Sequence, residues 1–385
     1  MIDLNRTRQV RIPLRVFSLL AFAGFISMLN VDKILCLAGS GDSTNQVALS
    51  QPLTVKWRYD SDQTTDLTPA TDRNRVYLPL IGGSIVCLNA NNGQLHWKSD
   101  EGGAISASPA VDERSVYVAT QPETTADAQY RGALRALSKE TGVTIWMRTL
   151  QAPLRGGLVA GSEAIFGGAT DGRVQAFDKR TGRTLWANQY SSPFSSQPQL
   201  SGDRLYLGAE DGMLLAVDQK SGQVAWRYRT HGPVRGPVAI TNGIVYFGSG
   251  DGYVYAFSES RAHLLWRRRT GAGVQAVAAV ESGLLVASLD NFVYFFSLNG
   301  GHHMWRQQLP GRIASQPATA RDGALFTPLS SDSAIVLGLT NGKPVNTLPV
   351  GEDNSRSASP IIVAHLVLIT TPRGLLAFAG PKKPD

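Results

Sequence analysis

A chain of 385 residues with 43% hydrophobic and 17% charged residues and 39 glycines has a globular, turn-rich composition and is too apolar for disorder. The formal charge of +7 raises nucleic acid or anionic lipid as partners, but five basic and two acidic residues lie in the first 38 positions, which leaves +4 for the rest. Nucleic-acid binding wants basic residues gathered on one face among aromatics, whereas here the sequence disperses them, and Arg267-Arg268-Arg269 reads as a solvated strand end.

From the N-terminus, residues 1–38 read as a secretory signal. Arg6, Arg8, Arg11 and Arg15 form a basic start, Val16 to Leu29 an apolar stretch, and Ala38-Gly39-Ser40 a small-residue cleavage neighbourhood. The alternative is a short retained anchor, although Asn30, Asp32 and Lys33 interrupt the stretch before it could span a bilayer. Such a leader implies export to the periplasm. Residues 39–52 read as a flexible linker, 53–380 as the folded domain and 381–385 as a tail.

All seven tryptophans in the folded region fall on one period: Trp57, Trp97, Trp146, Trp186, Trp226, Trp266 and Trp305. Ten positions before each of five of them stands a small residue, namely Cys87, Ala136, Ala176, Ala216 and Ala256, with Phe295 the exception before Trp305. Two further units lack a following tryptophan. In one, Val336 and Asn346 take the two places; in the other, Ala377 holds the small slot and the chain soon ends.

Each unit reads as four short strands. In Ser196–Asp218, a strand follows Pro198, a turn falls at Gly202-Asp203, RLYLG is a second strand, and Asp211-Gly212 turns into MLLAV. Asp-Gly between apolar runs is a strong hairpin signal because a type I′ turn needs positive φ. A Thr-Gly or Ser-Gly step then turns the chain into the tryptophan strand. Four strands per unit of about 40 residues predict an all-β, eight-bladed β-propeller, its last blade closed by the strand around Trp57. Each indole is expected to wedge between neighbouring sheets where the small residue leaves room. Burying one is worth about 4–6 kcal/mol gross.

Chemistry is sparse. The six histidines make no metal-ligand spacing with Cys, Asp or Glu, and no P-loop, nucleophile elbow or calcium loop is present. Cys36 and Cys87 alone specify neither a disulfide framework nor a metal site, and Cys87 reads as core packing. Asp178 and Asp218 recur at turn positions and read as turn caps. The unit ending at Trp146 is nine residues longer than its neighbours, the excess lying in Gln121–Gly132, a loop that is a candidate for function. No catalytic residue, cofactor or metal is assigned.

The AxDxxTGxxxW-like repeat resembles the tryptophan-docking motif of the quinoprotein-type, or PQQ-like, propellers over residues 53–380. Within that group two resemblances imply different functions. Quinoprotein dehydrogenases imply bound pyrroloquinoline quinone with calcium, a catalytic aspartate and often a disulfide between adjacent cysteines. This chain has no adjacent cysteines and no spare domain. The BamB family is similar in size, leader and bare blades. It implies a non-catalytic scaffold in outer-membrane protein assembly whose partner is a BamA-like barrel insertase. Ala152–Phe177 resembles the family's partner-contacting segment, so that resemblance points to Leu154, Arg155 and Gly156. Ala152 replaces a leucine of the pattern, Pro193 and Ser195 stand where the family has an acidic pair, and a similar Val234-Arg235-Gly236 recurs later. The residues before Cys36 do not form the lipid-attachment pattern usual in the family. A propeller that binds a cell-envelope polymer is the third reading.

Overall fold

The computed structural model describes residues 47–122 and 131–381; the leader, the tip of the 121–132 insertion and the end of the tail lie outside them. Every regular element among the described residues is a β-strand, and the strands form eight antiparallel sheets. Seven sheets take consecutive strands, four each in six of them and five in blade 2, running from Ala70–Thr71 in blade 1 to Pro344–Asn354 in blade 7. In blade 2 the first strand is split into Ala104–Ile105 and Ala110–Val111, both paired with Ser115–Gln121.

Blade 8 consists of Ile361–Val363, Leu366–Thr371 and Gly374–Ala379, and its fourth strand is Thr54–Asp60. Trp57 pairs with Ala377 across this junction, the same register in which Trp186 pairs with Ala176 and Trp226 with Ala216. The two ends of the domain therefore complete one sheet and close the ring.

Side-chain spacing explains how the blades adhere. A three-strand row recurs across each sheet: Tyr77-Cys87-Trp97, Tyr117-Ala136-Trp146, Phe166-Ala176-Trp186, Tyr206-Ala216-Trp226 and Tyr246-Ala256-Trp266. The small central residue lets the indole reach the aromatic ring beyond it, with centroids 5.8–6.1 Å apart. Blade 6 inverts the sizes: Phe295 holds the centre, stacks on Trp305 at 4.9 Å, and Leu285 replaces the outer aromatic. Volume is conserved across the row although the small-residue rule is broken.

Six of the seven indoles also bond to the next blade, Trp226 being the exception. In each of the six, Nε1 donates to a carbonyl there, from Trp57 to Ala90, Trp97 to Lys139, Trp146 to Lys179, Trp186 to Gln219, Trp266 to Leu298 and Trp305 to Leu339, at 2.8–2.9 Å. The ring lies flat on the turn glycine of that blade. An added Cβ would stand 2.5 Å from the Trp146 ring at Gly182 and 2.6 Å from the Trp57 ring at Gly93. The Thr-Gly step thus serves twice, supplying positive φ for the turn and a bare face for the tryptophan.

Blade 8 ends without such a turn, and the chain supplies a substitute. Asn346, in the tryptophan place of blade 7, donates to the Leu49 and Gln51 carbonyls. Asp322 accepts from the Leu49 and Ser50 amides and the Ser50 hydroxyl. Val47, Leu49 and Leu53 are buried in the core shared by blades 7 and 8. Residues 47–52 are therefore docked to the ring, which corrects the expectation of a free linker over the described part of 39–52.

Candidate partner-binding face

The loops divide between two ends of the blades. At one end, the turn between third and fourth strands meets the turn between first and second, as where Gln219 N donates to Asp203 O. This end carries the tryptophan-docking turns. Asp178 caps one turn by accepting from the Arg180 and Thr181 amides, and Asp218 does the same for Lys220 and Ser221. Lys139 and Lys179 strap neighbouring blades: each carbonyl takes an indole N–H, and each ammonium lies 2.6 Å from Asp72 or Asp112 of the preceding blade. Burial alone would raise those two carboxyls, but the lysine bonds and backbone amides hold both below the usual range. These polar groups serve the scaffold.

At the other end, the connection between blades meets the turn between second and third strands, as where Glu210 N donates to Pro193 O. One side chain from each of several connections plugs the blade junction: Leu154, Phe194, Val234, Val274 and Ile313 are all buried. Glycines at the ends of second strands admit these plugs. A Cβ on Gly168, Gly208 or Gly248 would collide with Phe194, Val234 or Val274.

This geometry sorts the three sequence candidates. Leu154 is fully buried in the core of blades 2 and 3, so its function is packing and it offers no contact surface. A Leu-Arg pair in a strand puts one residue on each face, and the leucine took the core. Gly156 adopts φ +70°, and a Cβ there would overlap the Ser195 and Ser196 carbonyls, so it shapes the junction. Arg155 is exposed on the rim, and its Nη2 donates to Gln121 Oε1 at 2.8 Å. Gln121 begins the insertion, whose residues 123–130 lie outside the described residues.

Arg235 holds the matching place two blades on but differs in its company. Its guanidinium grips Glu210 through Nε and Nη2 at 2.8–3.1 Å, and the Ser195 hydroxyl donates to the same carboxylate. The arginine bond holds the Glu210 carboxyl below its ordinary value. Glu210 was not singled out in the sequence, because its pairing joins loops 25 residues apart. A further charged pair lies where blades 1 and 2 meet, with Glu101 and Arg135 both buried, 3.6 Å apart. Desolvation raises the Glu101 carboxyl.

The fit of a quinone with calcium can be tested on the donor set. Among the described residues, no three His, Cys, Asp or Glu side chains converge to hold a metal. Cys87 is buried and has no cysteine neighbour in sequence.

A closed ring of eight blades, seven of which carry the docking tryptophan, is a PQQ-like β-propeller. The chain belongs to the family described as outer membrane protein assembly factor BamB, whose model matches residues 44–133, 130–236 and 230–380. It is 33% identical over 107 residues to the outer membrane protein assembly factor BamB of Shewanella oneidensis. That match spans 26% of this chain and only 25% of the relative. Among solved structures, BamB from Moraxella catarrhalis superposes with a TM-score of 0.73 at 15% identity, covering 87% of this chain and 99% of that one. The quinohemoprotein alcohol dehydrogenase from Comamonas testosteroni superposes at 0.69 with 11% identity, covering 89% and 79%. At such identities both structures speak for the fold alone.

Proposed function

We propose that the chain is an exported, non-catalytic scaffold that works in the assembly of β-barrel proteins into the outer membrane, from the periplasm and peripheral to that membrane. Family membership and the basic, apolar leader support this reading. Its partner is a protein, a BamA-like barrel insertase, met by the end of the blades that carries Arg155. The observation that carries this choice is the contrast between two equivalent arginines. Arg235 is neutralised by Glu210, whereas among the described residues Arg155 meets only the neutral Gln121 amide. An exposed arginine on a rigid rim is ready to take a carboxylate from a partner at little ordering cost. Leu154 contributes by fixing the strand that carries Arg155.

The test is a crosslinking pull-down of the tagged, exported protein from native envelopes, with Arg155→Glu alongside. An arginine acting as a hot spot is worth about 2 kcal/mol or more, roughly thirtyfold in affinity. Recovery of a barrel insertase, lost in the variant, is the expected result. Recovery that survives the variant removes Arg155 from the interface. No insertase in either sample overturns the scaffold role.

A further inference from the structure

The outer wall of blades 4 to 6 carries a feature that the sequence hides. Residues one and three places after each tryptophan point outward from the fourth strand. In blades 4 and 5 these are Arg227 and Arg229, then Arg267 and Arg269, and in blade 6 Arg306 and Gln308. Periods of 39 and 40 residues that separate them in sequence place them on successive outer strands at one register, opposite Leu215, Tyr255 and Tyr294. Arg229 pairs with Asp211, but among the described residues Arg227, Arg267, Arg269 and Arg306 have no carboxylate partner. The same positions elsewhere are balanced or neutral: Arg58 with Asp60, Lys98 with Asp100, Met147 with Thr149, Ala187 with Gln189.

Aromatic rings alternate with these cations. The Arg267 guanidinium lies 5.0 Å from the Tyr253 centroid, and that of Arg306 lies 5.2 Å from Phe292. Beside them the strand bulges turn aliphatic side chains to solvent: Val224, Leu264, Leu265 and Met304 are 37–51% exposed. Charge that only guarded sheet edges against pairing would be spread over all eight outer strands. Here, among the described residues, cations with no carboxylate beside them at this register occur on three of the eight, mixed with rings and aliphatic tips suited to the headgroup boundary of a bilayer.

We infer that the outer wall of blades 4 to 6 docks on an anionic lipid surface, the arginines meeting headgroup phosphates and the aliphatic residues settling among them. Phosphate suits a guanidinium through paired N–H bonds. The exposed aliphatic tips favour a bilayer over nucleic acid, which offers them nothing apolar outside its stacked bases.

The test is cosedimentation of the full-length protein with vesicles of phosphatidylcholine alone or with about one-third phosphatidylglycerol. The leader, with its apolar stretch and basic start, adds the same contribution to wild type and variants, so the quantity read is the change between them in the ratio of the two affinities. Each arginine near an anionic surface contributes about fivefold, so Arg267→Gln with Arg269→Gln lowers the ratio by roughly thirtyfold, whereas the two lysine replacements keep most of it. Arg227→Gln with Arg306→Gln gives an independent pair should the first disturb the fold, and circular dichroism checks both. A ratio near one for the wild type, or one unchanged in both glutamine pairs, overturns the inference. So does single-stranded oligonucleotide that displaces the protein from anionic vesicles at low concentration. Vesicle binding and insertase capture are read separately, so either can fail without the other.

Discussion

One blade junction departs from the docking rule, and its repair should stabilise the ring. Trp226 faces blade 5, where the turn reads Ser258-Glu259-Ser260-Arg261-Ala262 and alanine replaces the glycine. Ala262 is held at φ +53°, and its amide still closes the turn on the Ser258 carbonyl. A methyl now stands where other indoles lie flat, and the Trp226 Nε1 is buried without a partner, although the matching acceptor is the Glu259 carbonyl. Ala262→Gly removes a left-handed alanine, worth about 1 kcal/mol, and lets the indole N–H bond, worth about another 1 kcal/mol. The extra freedom of glycine in the unfolded chain takes back roughly 0.7 kcal/mol. The net gain is about 1–2 kcal/mol, a rise in melting temperature of roughly 2–3 °C for a domain this large. Scanning calorimetry should show that rise in the wild type and less than half of it in a Trp226→Phe background, which has no indole donor. A lower melting temperature, or an equal rise in both backgrounds, would refute the docking explanation.

Other consequences follow from the same structure. The Asp322 carboxyl is raised by burial but lowered more by its bonds from Ser50 and the Leu49 amide, so its folded value lies below the unfolded one. Its contribution to the seam is therefore present above about pH 4 and lost as pH falls through the folded value, and Asp322→Asn should flatten the acid limb of a stability-pH curve. Burial pushes the Cys87 thiol up to about 12, so in a Cys36→Ser background it should resist thiol reagents at pH 8 until denaturant is added. Gly156→Ala should cost about 2 kcal/mol or more in a thermal melt, because both φ and the neighbouring carbonyls oppose a Cβ.

The fold was open to reading because tryptophan is rare and each blade repeats its chemistry at one spacing. Trp57, placed before any complete unit, already announced that the ring closes on itself. What escaped notice depends on contacts that no local pattern records. Asn346 meets Leu49 across 297 residues, and nothing in GSGDSTNQVALSQP distinguishes a docked strap from a linker. Leu154 read as a contact residue because its loop resembled one, whereas the alternation of a strand buried it and exposed Arg155. Arginines that are scattered in sequence became neighbours on the outer wall, since a repeat period converts distance along the chain into adjacency around the ring.

The most direct test of the scaffold role is a photoreactive amino acid placed in turn at Arg155, at Gln197, whose side chain lies against Gly157 of the Arg155 strand, and at Arg180 on the opposite end of the blades, followed by irradiation of native envelopes. The expected result is a covalent adduct with a barrel insertase from Arg155 and Gln197 and none from Arg180. Adducts only from Arg180, or none from any site in cells that export the protein normally, would contradict it.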